Sequence, residues 1–309
     1  MRMRGMTDVL PSATSGKSVW QFLRKLLKRR PRKVGLALSG GGARGLAHIG
    51  VLKVLEQERI PVDVVAGTSM GGVIAALYAA GISAREMEKE ARRISSPRQL
   101  IALIDRTLPR RGLLQGHKIM EYMAHWLEGL TFDQLPIPLG LVAVDLNGGQ
   151  TVVFREGLVL DAVRATIAVP GLFAPLEREG QLLVDGGLMD NLPVDVARQM
   201  GADVVIAVDI STDQQAVAGL MQELRGRRSI LDGLLDTMDV LWRSVALLTN
   251  EVNRRVLEEN PPNLLIRPTL PPGITVFTGF TRAAEAIAAG EQAATEMLPQ
   301  IRGLTGDFV

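Results

Sequence analysis

Val62-Asp63-Val64-Val65-Ala66-Gly67-Thr68-Ser69-Met70-Gly71-Gly72 is an apolar, β-branched run that breaks on glycine and gives way to a helix-forming segment over 73–80. The run reads as a buried strand, and strand, glycine-flanked turn, helix is the context a G-x-S-x-G nucleophile elbow requires. In that geometry Gly67, Thr68, Met70 and Gly71 let the chain turn sharply enough to lift Ser69 Oγ clear of a sheet. Ser69 then sits at a helix N-terminus, where the positive end of the dipole favours developing negative charge. A glycine-rich turn between a buried strand and a helix has the same pattern and no chemistry, so this stretch alone leaves both readings open.

Upstream, Val34-Gly35-Leu36-Ala37-Leu38-Ser39 repeats the buried-strand pattern and runs into Gly40-Gly41-Gly42-Ala43-Arg44-Gly45, with a helix expected over 46–58. Bare glycine amides can approach an oxyanion or a phosphate closely. The spacing also satisfies G-x-G-x-x-G with Asp63 downstream, which keeps a phosphate- or nucleotide-binding regulator open as an alternative. Gly-Lys-Ser/Thr is missing, so it is not a Walker loop.

Downstream, a strand over 138–144 is turned by Asn147-Gly148-Gly149 into a second over 151–154, a predicted hairpin. A short helix over 160–168, a strand over 181–184 ending at Asp185-Gly186-Gly187, a helix over 193–200 and a strand over 204–208 follow. Strands alternating with helices indicate an α/β fold with a mostly parallel sheet covered on both faces. Beyond Ser211 come a polar loop, a long helix over 230–257, an edge strand over 264–266 and, after Pro271-Pro272-Gly273, a final helix over 282–297. Residues 82–130 read as helical and Arg-rich, including Arg85, Arg92, Arg93, Arg98, Arg106, Arg110 and Arg111, either a mobile basic cap over an apolar site or a solvated insertion. No internal repeat or clear linker divides the chain.

With 309 residues, 47% hydrophobic and 22% charged, the composition is that of one large or two small globular domains. There is no Cys, so thiol catalysis, disulfides and cysteine metal sites are excluded. No run of eighteen apolar residues is present to span a bilayer, and no apolar signal-peptide core precedes the first strand. The net charge of +2 hides an asymmetry: residues 1–33 carry ten Lys/Arg and one Asp, the rest 25 basic and 32 acidic residues. Because the positive charge is local to the N-terminus, nucleic acid is not an expected partner.

Residues 1–16 lack periodicity and read as a mobile tail. Over 18–30, Val19, Trp20, Phe22, Leu23, Leu26 and Leu27 fall in one arc about 160° wide, opposite Gln21, Arg24, Lys25, Lys28 and Arg29. Such a helix can lie in an anionic lipid interface, or its apolar face can pack on the body of the protein or on a second subunit. A cytoplasmic protein, peripheral on the inner face of the membrane, is the expectation.

A serine nucleophile needs a base and oxyanion donors. A Ser-His-acid triad in α/β-hydrolase order needs a histidine late in the chain, but His48, His117 and His125 all precede Asp185. That leaves a carboxylate acting directly. Asp185 ends a strand, and sites of open α/β sheets gather at the carboxyl ends of strands. Alone, Asp185 reads equally as a turn residue bonding its own backbone.

Gly40 through Gly45, Gly67-Thr68-Ser69-Met70-Gly71 and Asp185-Gly186-Gly187 together resemble the three signature blocks of the patatin-like phospholipases. Ala168-Val169-Pro170-Gly171-Leu172-Phe173-Ala174-Pro175 is similar to a fourth, and the nearest look is to the bacterial branch resembling the catalytic domain of neuropathy target esterase. The resemblance covers about 34–210. It implies a three-layer α/β/α fold with a catalytic domain over 34–210 (core about 36–198), preceded by 1–33 and followed by a helical extension, 211–309, on the same domain. It implies a Ser-Asp dyad of Ser69 and Asp185, and an oxyanion hole along Gly40, Gly41, Gly42, Ala43, Arg44 and Gly45, with Arg44 stabilising the hole or holding a lipid phosphate. The reaction it implies is hydrolysis of a phospholipid or lysophospholipid acyl ester through an acyl-enzyme, with no metal and no cofactor. His48 packs rather than catalyses on this reading. The oligomeric state, acyl-chain preference and site of cleavage stay open.

Overall fold

A computed structural model describes residues 32–105, 114–211, 230–276 and 278–305, without the side chains of 230–239 and 241–243. The chain divides into residues 1–32 and a second unit, Lys33–Val309, and the fold is that of the second unit. The expected tail and amphipathic helix over 1–30, and Arg106, Arg110 and Arg111, lie outside the described residues.

In chain order the elements are β1 (Val34–Leu38), a 3-10 turn (Gly42–Leu46), α1 (Ala47–Gln57), β2 (Val64–Thr68), α2 (Ser69–Ala79), α3 (Ala84–Ile94), α4 (Pro97–Ala102), α5 (His117–Leu127), β3 (Leu139–Asp145), β4 (Gln150–Phe154), α6 (Val159–Thr166), β5 (Leu176–Arg178), β6 (Gln181–Asp185), α7 (Val194–Gln199), β7 (Val204–Val208), α8 (Ile230–Glu259), β8 (Leu264–Ile266) and α9 (Ala283–Thr305). The sheet runs β5-β6-β3-β2-β1-β7-β8, with β4 also on β3. From β3 to β8 every neighbouring pair is parallel; β4, β5 and β6 pair antiparallel.

β1, β2 and β7 are buried throughout because helices cover both faces, which is why their sequences are continuously apolar. Successive residues point to opposite faces. Leu36, Leu38, Ile206 and Val208 join Leu52, Ile74 and Ile287 of α1, α2 and α9, whereas Ala37, Val205 and Ala207 join Val194 and Val196 of α7 on the other side. The result is the expected three-layer α/β/α arrangement. α1 and α9 meet backbone to backbone at two glycines: a Cβ on Gly50 would lie 2.0 Å from Ile287 O, and one on Gly290 1.9 Å from Ala47 O.

The hairpin forms as predicted, closed by Asp145, whose carboxylate accepts from the Asn147, Gly148 and Leu182 amides. β8 takes the edge of the sheet beside β7. β5, a three-residue strand, has no sequence signal of its own. The last helix runs past its expected end at 297 to Thr305, through Pro299. The Arg-rich region forms α3, α4 and α5, and there Arg92 and Arg93 pair with Glu88 and Glu90 on their own helix.

β6 is antiparallel to β3, so the rule that sites gather at the carboxyl ends of parallel strands does not deliver Asp185. β3 carries β4 along one edge, opposite Leu141–Asp145. Its other edge is shared: β2 occupies it from Leu139 to Val142 and β6 from Ala143 to Asp145. Thr68 faces Val142 and Asp185 faces Ala143, so the two strands abut with their carboxyl ends together.

Candidate active site

At that junction β2 ends with Thr68 extended (φ −125°, ψ 140°), and Ser69, the first residue of α2, takes φ +54°. A positive φ at a residue with a Cβ stores about 1–3 kcal/mol, and surrounding contacts must hold it. Helix and strand cross so closely that side chains are excluded: a Cβ on Gly67 would lie 2.5 Å from Gly71 O, and one on Gly71 2.4 Å from Leu38 O. Thr68 Oγ1 donates to Asp190 O (2.8 Å), and the Ser69 amide donates to Thr166 Oγ1 (2.9 Å).

The Asp185 carboxylate is buried beside the Ser69 hydroxyl and accepts from the Gly187 amide at 2.8 Å. Burial raises its pKa from 3.8 to about 6, against the nearby Ser69 hydroxyl and the Gly187 amide, which favour the ionised form. A carboxylate with that pKa, in contact with a hydroxyl, can accept a proton near neutral pH.

The glycine loop divides by what its amides already bond. Gly40 N donates to Asn191 O, Ala43 N to Val276 O and Arg44 N to Gly41 O. The amides of Gly41 and Gly42 have no acceptor among the described residues, and both residues line the cavity beside Ser69 and Asp185. Gly42 takes φ +56° with a would-be Cβ only 1.8 Å from Val276 O, so no other residue fits. The six-residue hole expected from sequence thus narrows to two candidate donors. Ala43 and Arg44 are committed elsewhere, Gly40 is bonded to Asn191, and Gly45 packs under Met70, whose Cγ would be 2.3 Å from a Gly45 Cβ.

The Arg44 guanidinium does not face the cavity but donates to Ile210 O (2.8 Å), Ser211 O and Ile274 O (3.4 Å each), fastening the segments after β7 and β8 to the loop.

Asn191 is a participant that sequence reasoning missed. It lines the cavity, its side-chain amide donates to Gly40 O (3.4 Å), and its main chain accepts from Gly40, so it joins the Asp185 loop to the glycine loop. Its only signal in the sequence is a polar pair, Asp190-Asn191, set among apolar residues.

None of the three histidines lines the cavity. His48 is fully buried, its Nε2 bonded to Ser39 O (2.8 Å), and burial lowers its pKa to about 4, so it stays neutral. His125 stands edge-on to Trp126 on α5.

The cavity has a volume of about 630 Å³ and is overwhelmingly apolar. Away from Ser69 its walls are Leu77 of α2, Met87 of α3, Leu100 of α4 and Met123 and Trp126 of α5, so α3, α4 and α5 supply part of the apolar lining. A hydroxyl, a carboxylate and two unbonded amides therefore stand beside a space suited to an alkyl chain. Among the described residues no helix is long and apolar enough to cross a membrane.

A profile of the family described as patatin-like phospholipase matches residues 36–198. An uncharacterized NTE family protein of Mycobacterium tuberculosis is 38% identical over 186 residues, 60% of this chain and 51% of that protein. Human patatin-like phospholipase domain-containing protein 6 is 38% identical over 186 residues, 59% of this chain and 14% of that one. A lysophospholipase of Emericella nidulans is 34% identical over 204 residues, 65% of this chain and 13% of that one. The chain spans about half the length of the mycobacterial relatives and a far smaller part of the other two. The solved structure of VipD from Legionella pneumophila superposes with a TM-score of 0.49 over 88% of this chain and 67% of that one, at 14% identity.

Proposed function

The chain belongs to the patatin-like phospholipase family, and we propose that it is a lipid acyl hydrolase working through Ser69 and Asp185. Asp185 takes the Ser69 hydroxyl proton as Oγ attacks the ester carbonyl carbon. The amides of Gly41 and Gly42 stabilise the oxyanion. On collapse, Asp185 returns the proton to the departing alkoxide, leaving an acyl-enzyme and a lysolipid or glycerophospho-alcohol. Asp185 then deprotonates a water, which releases the fatty acid and restores Ser69. No histidine takes part.

One observation carries this reading: the Ser69 hydroxyl stands next to a buried carboxylate and two unbonded glycine amides at an apolar cavity. The apolar lining favours a lipid acyl group over a polar ester, and phospholipid or lysophospholipid is the substrate class, in keeping with the lysophospholipase relative. No cofactor enters the scheme. The basic amphipathic segment over 18–30 brings the enzyme to anionic lipid on the cytoplasmic side, so removing residues 1–30 reduces pelleting with anionic vesicles.

The test is covalent. A fluorophosphonate probe labels purified protein at the peptide containing Ser69, and Ser69→Ala neither labels nor releases fatty acid from lysophosphatidylcholine. A Ser69→Ala protein that still turns over lipid would end the proposal.

A further inference from the structure

Ser69 is held in a left-handed conformation at a point where its amide has lost its ladder. β2 stops at Thr68, and the first N–H groups of a helix have no intrahelical partner. The structure supplies a partner from 97 residues away: Ser69 N donates to Thr166 Oγ1 at 2.9 Å. Thr166 is the last residue of α6 and is fully buried. Its hydroxyl proton goes to Val142 O at 2.5 Å, so toward Ser69 the oxygen can only accept.

Val142 is the β3 residue opposite Thr68, one short of Ala143, which faces Asp185. Thr166 is therefore fastened to the single point of the sheet where the ends of β2 and β6 meet. Its methyl is packed as well, since a Cβ on Gly72 would lie 3.0 Å from Thr166 Cγ2. A fixed hydroxyl with a fixed polarity holds the Ser69 amide, and with it the φ that aims Oγ at Asp185.

We propose that Thr166 is a positioning residue for the nucleophile, acting through the Ser69 backbone amide and not on the substrate; this rests on the reading of Ser69 as nucleophile. Its hydroxyl keeps the strained turn in the conformation that sets Oγ beside the carboxylate, and it occupies the Ser69 N–H so that the oxyanion falls to the glycine loop.

The experiment compares Thr166→Val, which keeps the shape and removes the hydroxyl, with Thr166→Ser, which keeps the hydroxyl and removes the methyl. A misplaced nucleophile loses on the order of 100-fold in the chemical step. Thr166→Val should accordingly lower kcat and the fluorophosphonate labelling rate of Ser69 by about 30- to 100-fold while KM stays within about twofold, a split that marks lost chemistry and not lost binding. Thr166→Ser should recover both to within about threefold. Wild-type protein is the control for the underlying reading: if its Ser69 does not label, the nucleophile assignment and this inference fail together. If wild type labels and folded Thr166→Val labels at the same rate, the positioning role alone is overturned. It is likewise overturned if folded Thr166→Ser is as slow as the valine variant. Should Thr166→Val not fold, Thr166→Cys, with a much weaker acceptor in the same space, carries the same expectation and the same refutation.

Discussion

Replacing Asp185 by Asn should abolish activity and, at neutral pH, make the protein more stable. The native site holds this carboxyl buried, with its pKa raised from 3.8 to about 6. At about 1.36 kcal/mol per pKa unit, the ionised form is about 3 kcal/mol less favourable in the folded protein than in the unfolded chain. The sign follows from proton binding. Between pH 3.8 and 6 the native state holds a proton that the unfolded state has released, so this contribution is present in full below 3.8 and lost as pH rises through about 6. Asn keeps the size of the side chain and an oxygen to accept from Gly187, and never ionises.

The variant should therefore match wild type near pH 4 and exceed it by about 2–3 kcal/mol at pH 8, where the wild-type carboxylate is buried and charged. His48, whose pKa is lowered to about 4, adds the opposite trend: it stays neutral in the fold, and stability is lost as pH falls from 6.5 towards 4. It does so in both proteins and cancels in the difference. Urea unfolding of both proteins at half-unit steps from pH 4 to 8, read by circular dichroism, measures the difference directly. A stability difference that does not change with pH, or a variant weaker than wild type at pH 8, would refute the reasoning. Such a trade of stability for function is expected where an active group is buried at a cost.

Three further outcomes follow from the same geometry. The value of kcat/KM on a soluble short-chain ester should rise through about pH 6 as Asp185 ionises and level off above it, in initial rates from pH 4.5 to 9; a profile flat across pH 6 would exclude Asp185 as the base. Gly42→Ala must displace the loop from Val276 O and should lose about 100-fold or more in kcat, the scale of a lost oxyanion donor. Gly41→Ala meets the movable end of Ile210, with Cδ1 at 2.7 Å, and approaches Ile210 O at 3.3 Å, a milder clash, and should lose about tenfold or less, so equal losses would count against this division of the loop. Arg44→Ala should lower Tm by several degrees, on the order of 1–2 kcal/mol for its lost backbone hydrogen bonds, while KM for a phospholipid and for an uncharged ester shift in parallel; a selective loss for the phospholipid would restore a phosphate-binding role.

Much of this protein can be read from periodicity. β1, β2 and β7 are apolar without interruption because both faces of the sheet are covered, and the same runs announce a mostly parallel α/β fold. The turn at Ser69 and the glycine loop are legible for a related reason: backbones that approach within van der Waals contact exclude every residue but glycine, so the constraint is written in the residue itself. The hairpin and the edge strand are equally local.

Other features depend on partners far along the chain and carry no local mark. Arg44 beside three glycines suits an anion site, yet its guanidinium is taken by carbonyls more than 160 residues away. Asn191 and Thr166 look like ordinary polar residues near apolar runs, and their work lies in bonds to Gly40 and Ser69.

By itself the sequence determined the α/β class, the sharp glycine-flanked turn at Ser69, the glycine loop after β1 and, through three ordered blocks, the family, because these depend on local backbone sterics and on hydrophobic period. The tertiary structure alone decided how Asp185 reaches Ser69: two strands of opposite direction share one edge of β3 and end against each other. It also decided which amides stay unbonded, since hydrogen bonds between distant segments are set by register, a property of how strands pair and not of any stretch of residues.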